Sequence, residues 1–277
     1  MRPTGVAAAA DVKLSMIPFL GPADPFPPVN QALDKPDGLL AAGGSLSTRR
    51  LLDAYRRGIF PWFSEGDPIL WWSPDPRTVL RPSIVHVSHS LRKRLRKEAF
   101  LITIDRAFPR VLDGCAAPHA DDAGTWLSEA MRRAYVALHA SGFAHSIEVW
   151  MDGELAGGIY GVAIGRMFFG ESMFTRRTDA SKIAMVRLAA QLDRWSCPLI
   201  DCQLETGHLL SLGAEPMPRW QFVAEVAQLV KAPAPAWAMD DDLAGSPDHA
   251  PRVLTQGSGI GDQGSGDRGS GDRGSGA

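Results

Sequence analysis

Three side chains in two short segments have the types and spacing for proton and amine chemistry. In Phe168-Phe169-Gly170-Glu171-Ser172-Met173 the two-residue period of an extended chain sets Glu171 on the same face as Phe169 and Met173. A carboxylate between two large apolar neighbours needs a partner, because burying it unpaired is costly. The same period in Ile200-Asp201-Cys202-Gln203 sets Asp201 and Gln203 on one face, where a carboxylate can orient an amide or an amine directly. Two acidic strand positions and one amide make a polar centre. The plainer reading is an ion pair with a nearby arginine such as Arg176, or closure of a turn, and spacing alone does not separate the two.

Other chemistries lose weight. The 277 residues contain no G-x-x-x-x-G-K-S/T phosphate loop, no dinucleotide fingerprint after a strand and no G-x-S-x-G elbow, which counts against ATP use, redox cofactors and serine hydrolysis. His86 and His89 have no nearby third ligand, so no metal is expected and both read as solvated or RNA-facing. Cys115, Cys197 and Cys202 form neither an even set nor a C-x-x-C pair, which points to reduced thiols rather than a disulfide scaffold or a zinc site.

The elements that must position the polar centre can be read from periodicity. Alternation in Ser146–Met151 and the turn Asp152-Gly153 predict a hairpin whose second strand runs from Leu155 towards Ile164. A strand Met167–Phe174, a helix from about Ala180 to Trp195, a strand Leu199–Gln203 and a helix Gln221–Lys231 follow. Three antiparallel strands, a helix and a crossover strand make the chain α+β rather than doubly wound. Upstream, residues 47–57 read as a short helix capped by Ser47 or Thr48 and closed by Gly58, with Leu51, Leu52 and Tyr55 on its apolar stripe and Arg49, Arg50, Arg56 and Arg57 flanking it. GIFPW and ILWWSPDPR, broken by Pro61, Pro74 and Pro76, read as a surface loop holding large aromatics. Ser88 or Ser90 caps a helix bearing the densest basic run, Arg92-Lys93-Arg94-Leu95-Arg96-Lys97; a strand Phe100–Ile104 and a helix ending at Gly142 come next. Most of the eight tryptophans are expected in the core, with Trp71, Trp72 and Trp126 placed where an indole could stack on a base.

The formal charge of -2 conceals an asymmetry: residues 1–110 hold 16 Lys and Arg against 10 Asp and Glu, and the remainder 13 against 21. A net positive half suggests a polyanion partner there, and the basic run a phosphate contact. The apolar run Val6–Ala10 is too short for a signal peptide and no run is long enough to span a bilayer, so a cytoplasmic protein without membrane contact is expected. From about Gly257 the chain is mostly Gly, Ser, Asp and Arg, too polar to offset the entropy of ordering. The expected organisation is a flexible 1–14, a small N-terminal domain over 15–85, a catalytic domain over 86–237 and a disordered tail over 238–277, with Asp240–Asp242 as weak competitors for the partner of the basic half.

LAAGGSLSTRRLLDAYRRGIFPW, ILWWSPDPR, FAHSIEVW, FFGESMF, DASK and LIDCQ occur in that order. Across about Pro18 to Val230 the chain thereby resembles the leucyl/phenylalanyl-tRNA-protein transferases. The resemblance implies a small N-terminal domain joined to an acyl-CoA N-acetyltransferase-like domain, a mixed sheet flanked by helices, with aminoacyl-tRNA as donor and no cofactor. It implies catalytic roles for Asp201, Gln203 and Glu171, contacts of Trp71 and Trp126 with the terminal adenosine, and a donor side-chain pocket lined by Ile159, Met173, Met185, Leu188, Leu192 and Ile200. Arg92, Lys93, Arg94, Arg96 and Lys97 are the candidate phosphate contacts.

The implied reaction moves Leu or Phe, with Met a further candidate, from leucyl-tRNA or phenylalanyl-tRNA to an N-terminal Arg or Lys of an acceptor protein, creating a degradation signal; a monomer is expected. The donor is an activated ester and an α-amine has a pKa of about 7.7–8.0, so the demands are positioning and one proton transfer. In this reading Asp201 orients Gln203, which polarises the amine, and Glu171 fixes the cationic acceptor. The alternatives are an acyl-CoA enzyme of the same fold, disfavoured by the missing glycine loop before the Ala180 helix, and a non-catalytic tRNA- or degron-binding module.

Overall fold

The computed structural model describes residues 17–97, 99–117 and 127–245. Two sheets organise them. A four-stranded sheet contains β1 (Phe19–Leu20), β2 (Leu39–Gly43), β3 (Phe60–Pro61) and β4 (Leu70–Trp72), in the order β1-β2-β4-β3. The helix α1 (Thr48–Arg56) lies between β2 and β3 in sequence; its N-cap is Ser47, whose side chain accepts from the Arg50 amide. Leu51, Leu52 and Tyr55 face inward as the stripe requires, but Arg50 is buried with them, its guanidinium 3.6 Å from the Phe26 ring centre.

The seven-stranded sheet runs β11-β5-β10-β9-β8-β7-β6. Its members are β5 (Arg77–Leu80), β6 (Leu101–Ile104), β7 (Ala144–Met151), β8 (Glu154–Ile164), β9 (Met167–Thr175), β10 (Leu199–Gln203) and β11 (Glu215–Met217). The hairpin β7–β8 turns at Asp152 and Gly153, both with positive φ, as the Asp-Gly pair demands. Helix α5 (Ala180–Arg194) carries the chain from β9 to β10, which pair in parallel. The sheet is therefore mixed, with α2 (His89–Lys97), α3 (Phe108–Ala116), α4 (Glu129–Ala140), α5, α6 (Gly207–Ser211) and α7 (Arg219–Leu229) completing an α+β fold.

One core cluster joins α1, α3 and α4 to the small sheet and one face of the large sheet; the other packs α5 against the opposite face. Three expectations change. The aromatic stretch is not a surface loop: Trp71 and Trp72 form β4 and are buried, while Pro61 sits on the edge strand β3, where a missing N–H is tolerated. Strand β5, placed with the small domain on sequence grounds, pairs with β10 and β11 in the large sheet. Residues 238–245 are not disordered: the Trp237 ring stacks 3.9 Å from that of His145, the Asp240 amide bonds Gln191, and the Ile102 amide donates to Ala244. Asp240 and Asp242 pair with Arg194, which engages the acidic cluster within the domain.

Candidate active site

Two β-bulges build the polar centre. Between β8 and β9 the register runs Tyr160↔Ser172 and then Gly161↔Gly170, so Glu171 is an extra residue without a cross-strand partner. Between β5 and β10 it runs Asp201↔Val79 and then Gln203↔Thr78, which makes Cys202 the extra residue. A bulge re-aims the side chains beyond it. Glu171 accordingly shares the α1 and α4 side with Phe169, as expected, but Met173 is turned to the other face, where it packs against the α5 cluster. The parallel pairing of β9 with β10 has its last partners at Phe169↔Asp201, so the ends carrying Glu171 and Gln203 lie past the hydrogen-bonded ladder.

Asp201 is fully buried and takes both prongs of Arg77, Nε to Oδ1 and Nη2 to Oδ2, each at 2.7 Å. The guanidinium also donates to the Gly58 carbonyl at 3.2 Å and lies between the Phe60 and Phe222 rings. Its partner is thus Arg77, across the sheet, and not Arg176. Oδ1 of Asp201 accepts in addition the Gln203 amide N–H at 2.9 Å. Gln203 has a φ of 61°, a left-handed conformation that costs a non-glycine residue about 1–2 kcal/mol. Asp201 therefore does orient Gln203, but by pinning its strained backbone rather than by holding its side-chain amide.

That amide reaches Glu171, with Nε2 donating to Oε1 at 3.1 Å. Tyr55 from α1 donates to the same oxygen at 2.8 Å, and Tyr135 from α4 to Oε2 at 2.5 Å; the two phenol oxygens are 3.0 Å apart. All three donors are uncharged. Burial raises the Glu171 carboxyl to about 7; the tyrosine hydrogen bonds oppose that rise, the Asp201 charge adds to it and Arg77 opposes it. The phenols of Tyr55 and Tyr135 are pushed well above their ordinary value, by burial first and then by the Glu171 charge, so they remain donors. The neighbouring Cys202 thiol is likewise raised by burial and stays protonated. A carboxyl near 7 beside an amide is suited to receive a proton from an α-ammonium at neutral pH.

The arrangement has relatives. Residues 79–227 match the domain described as leucyl/phenylalanyl-tRNA protein transferase, and residues 44–75 match its N-terminal domain. A leucyl/phenylalanyl-tRNA–protein transferase of Nitrosomonas europaea is 59% identical over 218 residues, 79% of this chain and 92% of its own. The chain belongs to the leucyl/phenylalanyl-tRNA protein transferase family. It is accordingly an aminoacyltransferase, using aminoacyl-tRNA and a protein acceptor. The Bordetella bronchiseptica transferase is 56% identical over 230 residues, covering 80% of this chain and 91% of its own. The likeness to a GCN5-related N-acetyltransferase from Kribbella flavida is slight, 12% identity at a TM-score of 0.31 over 60% of each chain.

Other residues singled out in the transferase sequence fall in different settings. Trp71 is fully buried, its indole N–H donating to the Gly43 carbonyl at 2.8 Å and its ring meeting the edge of Phe26, so it offers no face to an adenine. Trp62, which packs against Trp72, is half-buried. Trp126 lies outside the described residues. Ile159, Met185, Leu188, Leu192 and Ile200 are buried in one cluster under α5; Met173, packed against them, keeps partial exposure just beyond the Glu171 bulge. On α2, Arg92, Lys93, Arg96 and Lys97 are exposed, whereas Arg94 is half-buried in an ion pair with Asp179 at 3.2 Å. The structure thus unites Glu171, Gln203 and Asp201 and adds Arg77, Tyr55 and Tyr135. The signal for Tyr55 was its place on the α1 stripe and for Arg77 its place in WWSPDPR; nothing in the sequence set Tyr135 apart from an ordinary core residue.

Among the described residues, no group of three or more His, Cys, Asp or Glu side chains could hold a metal ion, and no helix is long and apolar enough to cross a membrane.

Proposed function

We propose that this transferase moves Leu or Phe from its tRNA to proteins beginning with Arg or Lys, acting as a monomer in the cytoplasm and creating an N-terminal degradation signal. The observation that carries the reading is Glu171: a carboxyl near 7, held by neutral donors, touching the Gln203 amide. The acceptor α-ammonium gives a proton to Glu171. The amine lone pair then attacks the ester carbonyl, the carbon–oxygen bond to the 3′ ribose breaks, and one of the two remaining amine protons ends on the departing oxygen while the other stays on the new amide nitrogen. With Nε2 engaged by Glu171, the Gln203 carbonyl oxygen is the group that accepts from the attacking amine and holds it in line.

Met173, at the mouth of the apolar cluster, is the deformable wall of a pocket for an unbranched or aromatic donor side chain. Arg92, Lys93, Arg96 and Lys97 contact tRNA phosphates. Trp62, with Trp126, holds the terminal adenosine in place of Trp71.

The test is transfer of labelled Leu or Phe from charged tRNA to peptides starting with Arg, Lys or Ala, with neither ATP nor acyl-CoA added. Transfer confined to Arg and Lys peptides supports the reading. Measurable tRNA binding without transfer would replace it by the non-catalytic module.

A further inference from the structure

Tyr55 and Tyr135 arrive from different helices, and both aim their hydroxyls at one carboxyl. Two phenols 3.0 Å apart that also bond the same carboxylate hold more than a packing position. Each has one proton, so at any moment a phenol donates either to Glu171 or to its neighbour. Among the described residues, the other groups around Glu171 are Tyr160 from β8, whose buried hydroxyl has no partner there, Cys115 from α3 hydrogen-bonded to Ser172, Asp201, Cys202 and Gln203 from β10, and Arg77 from β5. The cations and anions among them are already paired: Arg77 is committed to Asp201. Among the described residues, the two tyrosines are therefore the hydrogen-bond donors that steady Glu171 in its ionised form, alongside the single bond from Gln203.

Resting on the transfer reading above, we propose that Tyr55 and Tyr135 are positioning residues that keep Glu171 ionised and aimed at the acceptor amine, and so set the pH at which transfer begins. They touch neither substrate; they act through the carboxyl. When Glu171 takes the proton, the phenol pair reorients, with one hydroxyl turning its hydrogen to the other and accepting the new carboxyl O–H. The carboxyl thus meets a partner in both states and needs no water to do so.

The experiment compares kcat/KM against pH for the full-length enzyme, Tyr55→Phe, Tyr135→Phe and the double variant, using leucyl-tRNA and a peptide beginning with Arg. The peptide amine titrates identically in all four, so any difference between profiles belongs to the protein. Loss of one donor raises the carboxyl, and the acid limb is expected to move up by about half to one unit, tenfold in proton affinity per unit. Transfer at pH 6 then falls about 3–10-fold, while at pH 8.5 it stays within about twofold of the unaltered enzyme; the double variant moves further. A uniform loss at every pH, or an unmoved limb, would overturn the proposal. Should the Phe variants be damaged in their fold, an infrared titration of the carboxyl C=O band, assigned by its disappearance in Glu171→Gln, reads the same shift without turnover, and an unmoved midpoint overturns it as well. If the unaltered enzyme transfers nothing, the transfer reading fails and this proposal with it; transfer with unmoved profiles removes only the proposal.

Discussion

Two carboxylates stand on adjacent strands and are held in opposite ways. Asp201 is locked by a bidentate guanidinium and a backbone N–H, so its charge is neutralised where it lies. Glu171, one strand away, meets two phenols and an amide, none of which carries a charge. Burial then decides the difference: the first keeps a permanent partner ion, while the second sits near 7, where gaining or losing a proton costs little. A charge-paired carboxylate builds a site, and a carboxylate with neutral donors can work in one. The proposed roles divide the labour differently from the expectation drawn from sequence, in which Asp201 was to polarise through Gln203 and Glu171 was to fix a cation.

The comparison breaks first at Arg77. Arg77→Met leaves Asp201 buried without its partner ion, and urea unfolding is expected to show a loss of about 3–5 kcal/mol. If stability is untouched, Asp201 is not the structural member of the two. A double change, Arg77→Met with Asp201→Leu, removes both charges and should recover much of that stability without recovering transfer.

Glu171→Gln is the counterpart. Transfer should fall at least about 100-fold, the ordinary loss for a missing general base, with tRNA binding retained. Turnover close to normal would return Glu171 to the role of a packing residue.

The third expectation concerns pH and stability. A carboxyl raised above its unfolded value binds its proton more tightly when folded, so its contribution is intact below about 4.5 and declines as pH rises to about 7. Stability measured by urea should fall across that window by up to about 3 kcal/mol, and the fall should flatten in Glu171→Gln. An identical slope in both proteins would remove the raised carboxyl from the account.

The smallest effect is expected far from the site. Arg194→Ala loses two exposed ion pairs, with Asp240 and Asp242, and should leave the urea midpoint nearly unchanged, because solvent screens such pairs. A change in tRNA affinity in the same variant would mean that the freed acidic cluster competes for the basic helix, as its charge first suggested.

Much of this protein was legible in local pattern. Period-two alternation and an Asp-Gly turn specify the β7–β8 hairpin, Ser47 caps α1, and apolar spacing places Met185, Leu188 and Leu192 on the inner side of α5, because each depends on neighbours within a turn or two. The motif series gave the family as well. The register of the site was decided elsewhere. Strict alternation put Met173 beside Glu171, and only packing inserts the bulge that separates them. Proline and tryptophan density suggested an open loop at ILWWSPDPR, whereas the small sheet absorbs Trp71 and Trp72 as a buried strand. Arg77 meets Asp201 across 124 positions and Tyr55 meets Glu171 across 116, separations at which no periodicity carries information. Residue types set which chemistry this chain could perform; the tertiary structure decided which carboxylate is paired with a cation and which has only uncharged donors, because the state of a carboxyl depends on whether its neighbours are charged.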